Sequence, residues 1–214
     1  HRLRTQASVR HDDMRCTAFS RCEWLAWPTQ DGSSGPLRGI RTRAWGTKTV
    51  PRHWVASCLG VTNLGDGWLE ETIDLLKKQH WDESDDFTGK SISCEGKGWD
   101  DSPAVGAEDA AWLRFIMKTE GLPPKDADEI RLHSFKSIMT TWAQHDNLPS
   151  LDVNIQGGWK ESRDKSMSTI YLRDAQLKAI QLQERVLSTI RSGIKPLSMD
   201  NAGPCSSTPA PSSG

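Results

Sequence analysis

The sequence predicts a mainly helical α+β fold with a small antiparallel β-sheet, on three observations. Apolar residues recur at helical spacing in four separate stretches, which open at residues 68, 108, 133 and 172. Alternation on both sides of Gly46-Thr47 reads as a β-hairpin. With 214 residues and 36% hydrophobic content, the chain has room for one principal core with polar insertions. We expect one domain over residues 1–194, with 82–107 as an acidic surface loop or insertion. A disordered Pro/Ser-rich tail is expected over 195–214.

Taken in order, residues 1–27 hold ASVRHDDM and then SRCEWLAW, whose periodicity fits a short strand as well as the end of a helix. Residues 28–36 form a turn-rich connection. In LRGIRTRAW, Ile40, Thr42 and Ala44 alternate with Arg41 and Arg43, and Lys48 follows the Gly46-Thr47 turn directly. Residues 68–81 place Leu69, Ile73 and Leu76 on one helical face, with acids first and lysines last as the helix dipole prefers. A helix over Glu108–Glu120 is expected to face Ala111, Trp112, Phe115 and Ile116 inward, and GLPPKDAD then breaks the chain.

The stretch from Arg131 to Asp174 gathers the chemistry-bearing side chains. A helical run there has Phe135, Ile138, Met139 and Trp142 on its buried side, which leaves His133 and Lys136 together on a more polar face. Trp159 follows the Gly157-Gly158 turn. Tyr171, the only tyrosine, heads a last helical run in which Leu172, Ala175, Ala179, Leu182 and Val186 form a continuous apolar stripe.

Charge and cysteine usage narrow the class. The net charge is −1, which by itself speaks against a protein that grips DNA. Its distribution is uneven: residues 1–53 carry ten Lys/Arg against four Asp/Glu, residues 54–132 eight against seventeen, and residues 133–214 nine against seven. The five cysteines form no C-x-x-C pair and no even framework, so neither a disulfide scaffold nor a zinc site is expected, and reduced intracellular thiols are the default. No apolar run reaches the length of a membrane helix, and nothing at the start reads as a signal peptide. The opening residue, His1, predicts a fragment of a longer product.

The order His133-x-x-Lys136, Gly157-Gly158-Trp159 and Tyr171 resembles the second half of the tyrosine recombinase, or phage integrase, catalytic domain. In that family an H-x-x-R pair opens a helix, a His or Trp follows a Gly-containing turn, and a nucleophilic Tyr comes shortly after. Arg10, with Asp13 three residues later, is similar to the family's first arginine motif, and Lys48 to its β-hairpin lysine. The resemblance covers about residues 7 to 192. Lys136 stands where the family has its second arginine, a departure similar to that of retroelement members.

The resemblance implies transesterification at a DNA phosphodiester through a 3′-phosphotyrosyl bond formed by Tyr171. Arg10, Lys136 and the Trp159 indole N–H would neutralise the non-bridging oxygens. His133 would assist removal of the tyrosine proton and Lys48 would protonate the leaving oxygen. It implies no metal and no cofactor, double-stranded DNA as partner, a nuclear location, and a homo-oligomer assembled on DNA through the C-terminal helix. Lysine in place of arginine exchanges a planar fork for a point contact, a loss of about 1.5–3 kcal/mol. Two other readings stay open: a catalytically decayed DNA-binding relic of the same fold, and an unrelated helical interaction protein. The family's N-terminal DNA-clamping domain has no counterpart among these residues.

Overall fold

The computed structural model describes residues 2–17, 21–27, 36–44, 52–60, 67–78, 90–93, 98–159 and 173–194. In chain order its elements are α1 (Arg2–Ala7), α2 (His11–Arg15), β1 (Glu23–Trp27), β2 (Leu37–Ala44), β3 (Arg52–Ser57) and α3 (Trp68–Lys78). They continue with β4 (Lys90–Ile92), β5 (Trp99–Pro103), α4 (Gly106–Thr119), α5 (Pro124–Glu129), α6 (Ser134–His145), α7 (Ser150–Gly157) and α8 (Arg173–Arg191). The architecture is α+β, mostly helical, with a small antiparallel sheet.

That sheet is a meander in which β2 lies between β1 and β3. The alternation around Gly46-Thr47 is realised as the β2–β3 pairing, with Ile40 opposite Ala56 and Arg41 opposite Val55; the turn itself lies outside the described residues. SRCEWLAW supplies a strand rather than a helix end, and Leu25 of β1 pairs with Gly39.

Both faces of the sheet are covered. Ile40, Ala44, Trp54 and Ala56 pack with Ala7, Met14 and Leu69 from the first three helices and with Val9 between α1 and α2. On the other face Val55 packs with Ala179 and Ile180 of α8. Gly39 sits at that contact: a Cβ there would lie 2.4 Å from the Ala56 carbonyl oxygen and 3.0 Å from Ile180 Cδ1, so only glycine fits without a backbone shift. A further core joins α6, α7 and α8 through Met139, Ala143, Val153, Leu182, Val186 and Leu187.

Several elements differ from the sequence expectations. The stretch 82–107, expected as an acidic surface loop or insertion, contains the paired strands β4 and β5, and α4 already begins at Gly106. GLPPKDAD does not only interrupt the chain: Pro124 opens the short helix α5, since a proline at the first helical position gives up an N–H that would be unpaired anyway. On α4 the expected inward face is turned outward, with Ala111, Trp112, Phe115 and Ile116 exposed and Leu113 buried. Polar anchors in its first turn set this rotation, with Asp109 bound to Arg4 and Glu108 accepting from Ser91 Oγ at 2.9 Å.

The apolar stripe of α8 is used internally. Ala175, Ala179, Leu182 and Val186 are all buried, Ala179 against the sheet and Leu182 and Val186 against α6 and α7; Leu172 lies outside the described residues. Among the described residues, no helix is long and apolar enough to cross a membrane.

Candidate functional site

Arg10 is delivered by a tight turn between α1 and α2. Ser8 takes the left-handed conformation at φ 50°, uncommon for a residue with a side chain, and Arg10 follows in extended backbone as the N-cap of α2. The Arg10 side chain is exposed. The buried Asp13 carboxylate accepts the Arg10 backbone N–H at 3.4 Å, so this acid fixes the arginine's backbone. Thr17 ties the end of α2 to the sheet: its hydroxyl donates to the Asp13 carbonyl at 2.8 Å and accepts the Trp54 indole N–H at 3.2 Å.

His133 and Lys136 do not share a polar face. His133 is exposed just ahead of α6, already in helical backbone, and its carbonyl accepts the Lys136 N–H at 3.1 Å. Lys136 is only 5% exposed and lies on the buried stripe with Met139, Thr140 and Ala143. The small side chains at 140 and 143 allow α6 to pack closely against α1, α7 and α8. That contact sets the rotation of α6 and carries Lys136 inward, whereas Phe135, Ile138 and Trp142 are only partly covered.

Trp159 meets Lys136. The Lys136 Nζ stands 5.6 Å from the centroid of the Trp159 ring, within cation–π range. Helix α7 ends with Gly158 left-handed at φ 61°, and the Trp159 N–H returns to the Asn154 carbonyl at 2.9 Å. The indole folds back over Gly157, where a Cβ would lie 2.7–2.9 Å from three ring atoms. The two glycines therefore do different things: Gly158 provides the backbone reversal and Gly157 the space for the ring.

Of the six candidate residues, Lys136 and Trp159 are brought into contact, and Arg10 and His133 are placed at exposed element starts. Lys48 and Tyr171 lie outside the described residues.

Two features escaped the sequence reading. The first is a set of three buried glutamines. Gln156 Nε2 donates to the Gln6 carbonyl at 2.7 Å and to Ser8 Oγ at 3.1 Å, and Gln183 Nε2 donates to Gln156 Oε1 at 3.1 Å. Gln183 also pairs with β3, accepting the Ser57 N–H at 2.8 Å, and Gln6 Nε2 donates to the Ser57 carbonyl at 2.8 Å. The available signal was positional: Gln183 falls four residues after Ala179 and three before Val186, a polar residue in an apolar stripe.

The second feature joins Arg4, His11 and Asp109. Asp109 forms an ion pair with Arg4, and its Oδ2 lies 3.1 Å from His11 Nδ1. Burial works to raise the Asp109 carboxyl, but the His11 hydrogen bond and the Arg4 guanidinium outweigh it and hold the pKa below its ordinary value. This cluster fastens the start of α4 beside Arg10's helix. Burial also pushes the Cys22 thiol up to about 11, against a hydrogen bond from Thr42, so this thiol stays protonated near neutral pH. Among the described residues, no group of three or more His, Cys, Asp or Glu side chains could hold a metal ion.

Comparison of the chain with family models, with curated proteins and with solved structures returns no match.

Proposed function

We propose that the chain is the catalytic part of a tyrosine recombinase of a mobile element, which cuts and rejoins double-stranded DNA through a 3′-phosphotyrosine. The observation that carries this reading is the Lys136 ammonium set against the Trp159 indole, two side chains 23 positions apart in sequence and chosen on their spacing alone. In this reading the ammonium supplies charge and the indole N–H a hydrogen bond to the phosphate oxygens.

In this reaction the Tyr171 oxygen attacks phosphorus, the bond to the 5′ oxygen breaks, and a phosphotyrosyl bond forms. The tyrosine, whose ordinary pKa is about 10, gives its proton toward His133. The 5′ oxygen leaves as a hydroxyl, with its proton supplied by Lys48. Arg10, Lys136 and Trp159 balance the charge on the remaining oxygens. Reversal by a hydroxyl from a partner strand completes exchange, and the phosphotyrosyl bond conserves the energy of the bond broken.

Nuclear DNA is the partner in this proposal, bound by several copies. Contact between copies at the C-terminal helix falls on its exposed residues, such as Arg185 and Ser188, because the apolar stripe is buried. A second reading, an interaction module, is favoured by the outward apolar face of α4, where Trp112 and Phe115 meet edge to face with centroids 5.6 Å apart.

The test is a randomised pool of nicked suicide duplexes incubated with the full chain, with covalent adducts resolved under denaturing conditions. An adduct with wild type and none with Tyr171→Phe is expected. No adduct with either, or equal adduct with both, removes the recombinase reading. Salt-sensitive duplex binding without adduct assigns the chain to the decayed relic.

A further inference from the structure

The glutamine set ties α1, α7, α8 and β3, elements next in sequence to four of the six candidate residues, Arg10, Trp159, Tyr171 and Lys48; α6, with His133 and Lys136, is not part of it. Gln6 is on α1, the helix before the Arg10 turn, and Gln156 is one residue before the Gly157-Gly158 turn that presents Trp159. Gln183 is on α8, which begins two residues after Tyr171, and both Gln6 and Gln183 bond to Ser57 of β3, the strand that follows the Lys48 turn. The three side chains are 4%, 3% and 0% exposed, so each bond is made away from water and each carboxamide has a single arrangement that satisfies its neighbours.

Gln156 is the centre of this set. Its amide nitrogen donates twice across to the Arg10 turn, to the Gln6 carbonyl and the Ser8 hydroxyl, and its oxygen accepts from Gln183. Ser8 is the residue whose left-handed backbone redirects the chain from α1 to Arg10, and the bond from Gln156 falls on its side chain. Strained backbone of this kind persists where the surroundings over-determine it. Packing alone does not ask for a carboxamide at position 156, because a leucine would fill a similar volume. What leucine lacks is the directional tie between two turns.

Resting on the strand-cleavage reading, we infer that Gln156 is a positioning residue that holds the Arg10 turn and the Trp159 turn in register, so that both donors meet one phosphate. It acts through Ser8 and Gly157 and does not itself touch DNA. Small displacements of donors that act on one transition state are costly, so loss of this tie lowers strand cleavage about ten- to hundredfold with little change in DNA affinity.

The experiment compares Gln156→Leu and Ser8→Ala with wild type on the nicked duplex pool. It reads the adduct rate at saturating DNA, the DNA affinity, and the Trp159 indole N–H resonance, identified by its absence from Trp159→Phe. We expect the rate to fall at constant affinity, the indole resonance to move, and Ser8→Ala to change both in the same direction by less. A merely structural role would lower stability while leaving rate and resonance unchanged in folded protein. An unchanged rate or an unmoved resonance in Gln156→Leu overturns the inference. If Gln156→Leu fails to fold, Ser8→Ala decides by the same two readouts. Wild type that forms no adduct removes strand cleavage and the catalytic role with it, and the indole resonance then decides separately whether Gln156 places Trp159.

Discussion

Gly157→Ala tests the link between the end of α7 and the Lys136–Trp159 contact without altering either side chain. Gly157 is the last residue of α7 and is not among the glycines at positive φ, so alanine suits its backbone and brings up to about 1 kcal/mol of helix propensity. The cost lies in the new methyl, which would sit 2.7 Å from Trp159 Cδ2 and 2.8 Å from Cε3. Carbon atoms in ordinary contact are about 3.5–4.0 Å apart, so the ring must retreat by about 1 Å. Trp159 is 40% exposed and can swing outward, which gives up its place beside Lys136. With the ring this exposed the cation–π contact is worth about 1 kcal/mol, so it nearly offsets the propensity gain and stability should change by less than about 1 kcal/mol. On the proposed recombinase reading, strand cleavage should fall about a hundredfold, the usual cost of losing one donor to the transition state. Urea unfolding, the adduct assay and the Trp159 indole resonance measure the three effects. An unmoved resonance would refute the steric argument, and full cleavage with a displaced indole would refute the role given to Trp159.

Other perturbations follow from the same geometry. Lys136→Met removes a buried charge while keeping similar volume; it should change stability by less than about 2 kcal/mol in chemical denaturation and lower adduct formation about ten- to hundredfold. Gly39→Ala should destabilise by about 3 kcal/mol, because the new Cβ meets the Ala56 carbonyl, and a loss below 1 kcal/mol would show that β2 and β3 separate easily. Asp109→Asn leaves the largely buried Arg4 without its carboxylate partner and should cost about 3 kcal/mol at pH 7. Because the folded Asp109 pKa lies below its ordinary 3.8, its contribution is complete above that value and is lost as pH falls through the lower folded one. The stability gap between wild type and Asp109→Asn should therefore shrink below about pH 4, whereas a gap independent of pH would show that the Asp109 charge is not involved.

Local pattern carried much of the fold. Alternation around Gly46-Thr47 gave the β2–β3 pairing, because residues two apart share a strand face whatever lies beyond it. The stripe from Ala175 to Val186 likewise marked the buried side of α8. Rotation of a helix about its axis was read less well. On α4 the apolar group Trp112, Phe115 and Ile116 looked like a core face, but the ion pair of Asp109 with Arg4, 105 residues away, turned it outward. On α6 the small side chains at 140 and 143 allow close helix contact, and the rotation this sets carries Met139 and Lys136 inward with them.

For the candidate site, residue type and order along the chain were set by sequence alone: Arg10, Lys48, His133, Lys136, Trp159 and Tyr171 are choices of chemistry and spacing. Which of them touch depends on contacts between residues far apart in the chain, and a one-dimensional pattern does not encode those contacts. The burial of Lys136, its place beside Trp159, and the glutamine tie from Gln156 to Ser8 across 148 positions are of this kind. A buried carboxamide has no periodicity of its own. It can be recognised only when its partners are brought to it, and that is the work of tertiary packing.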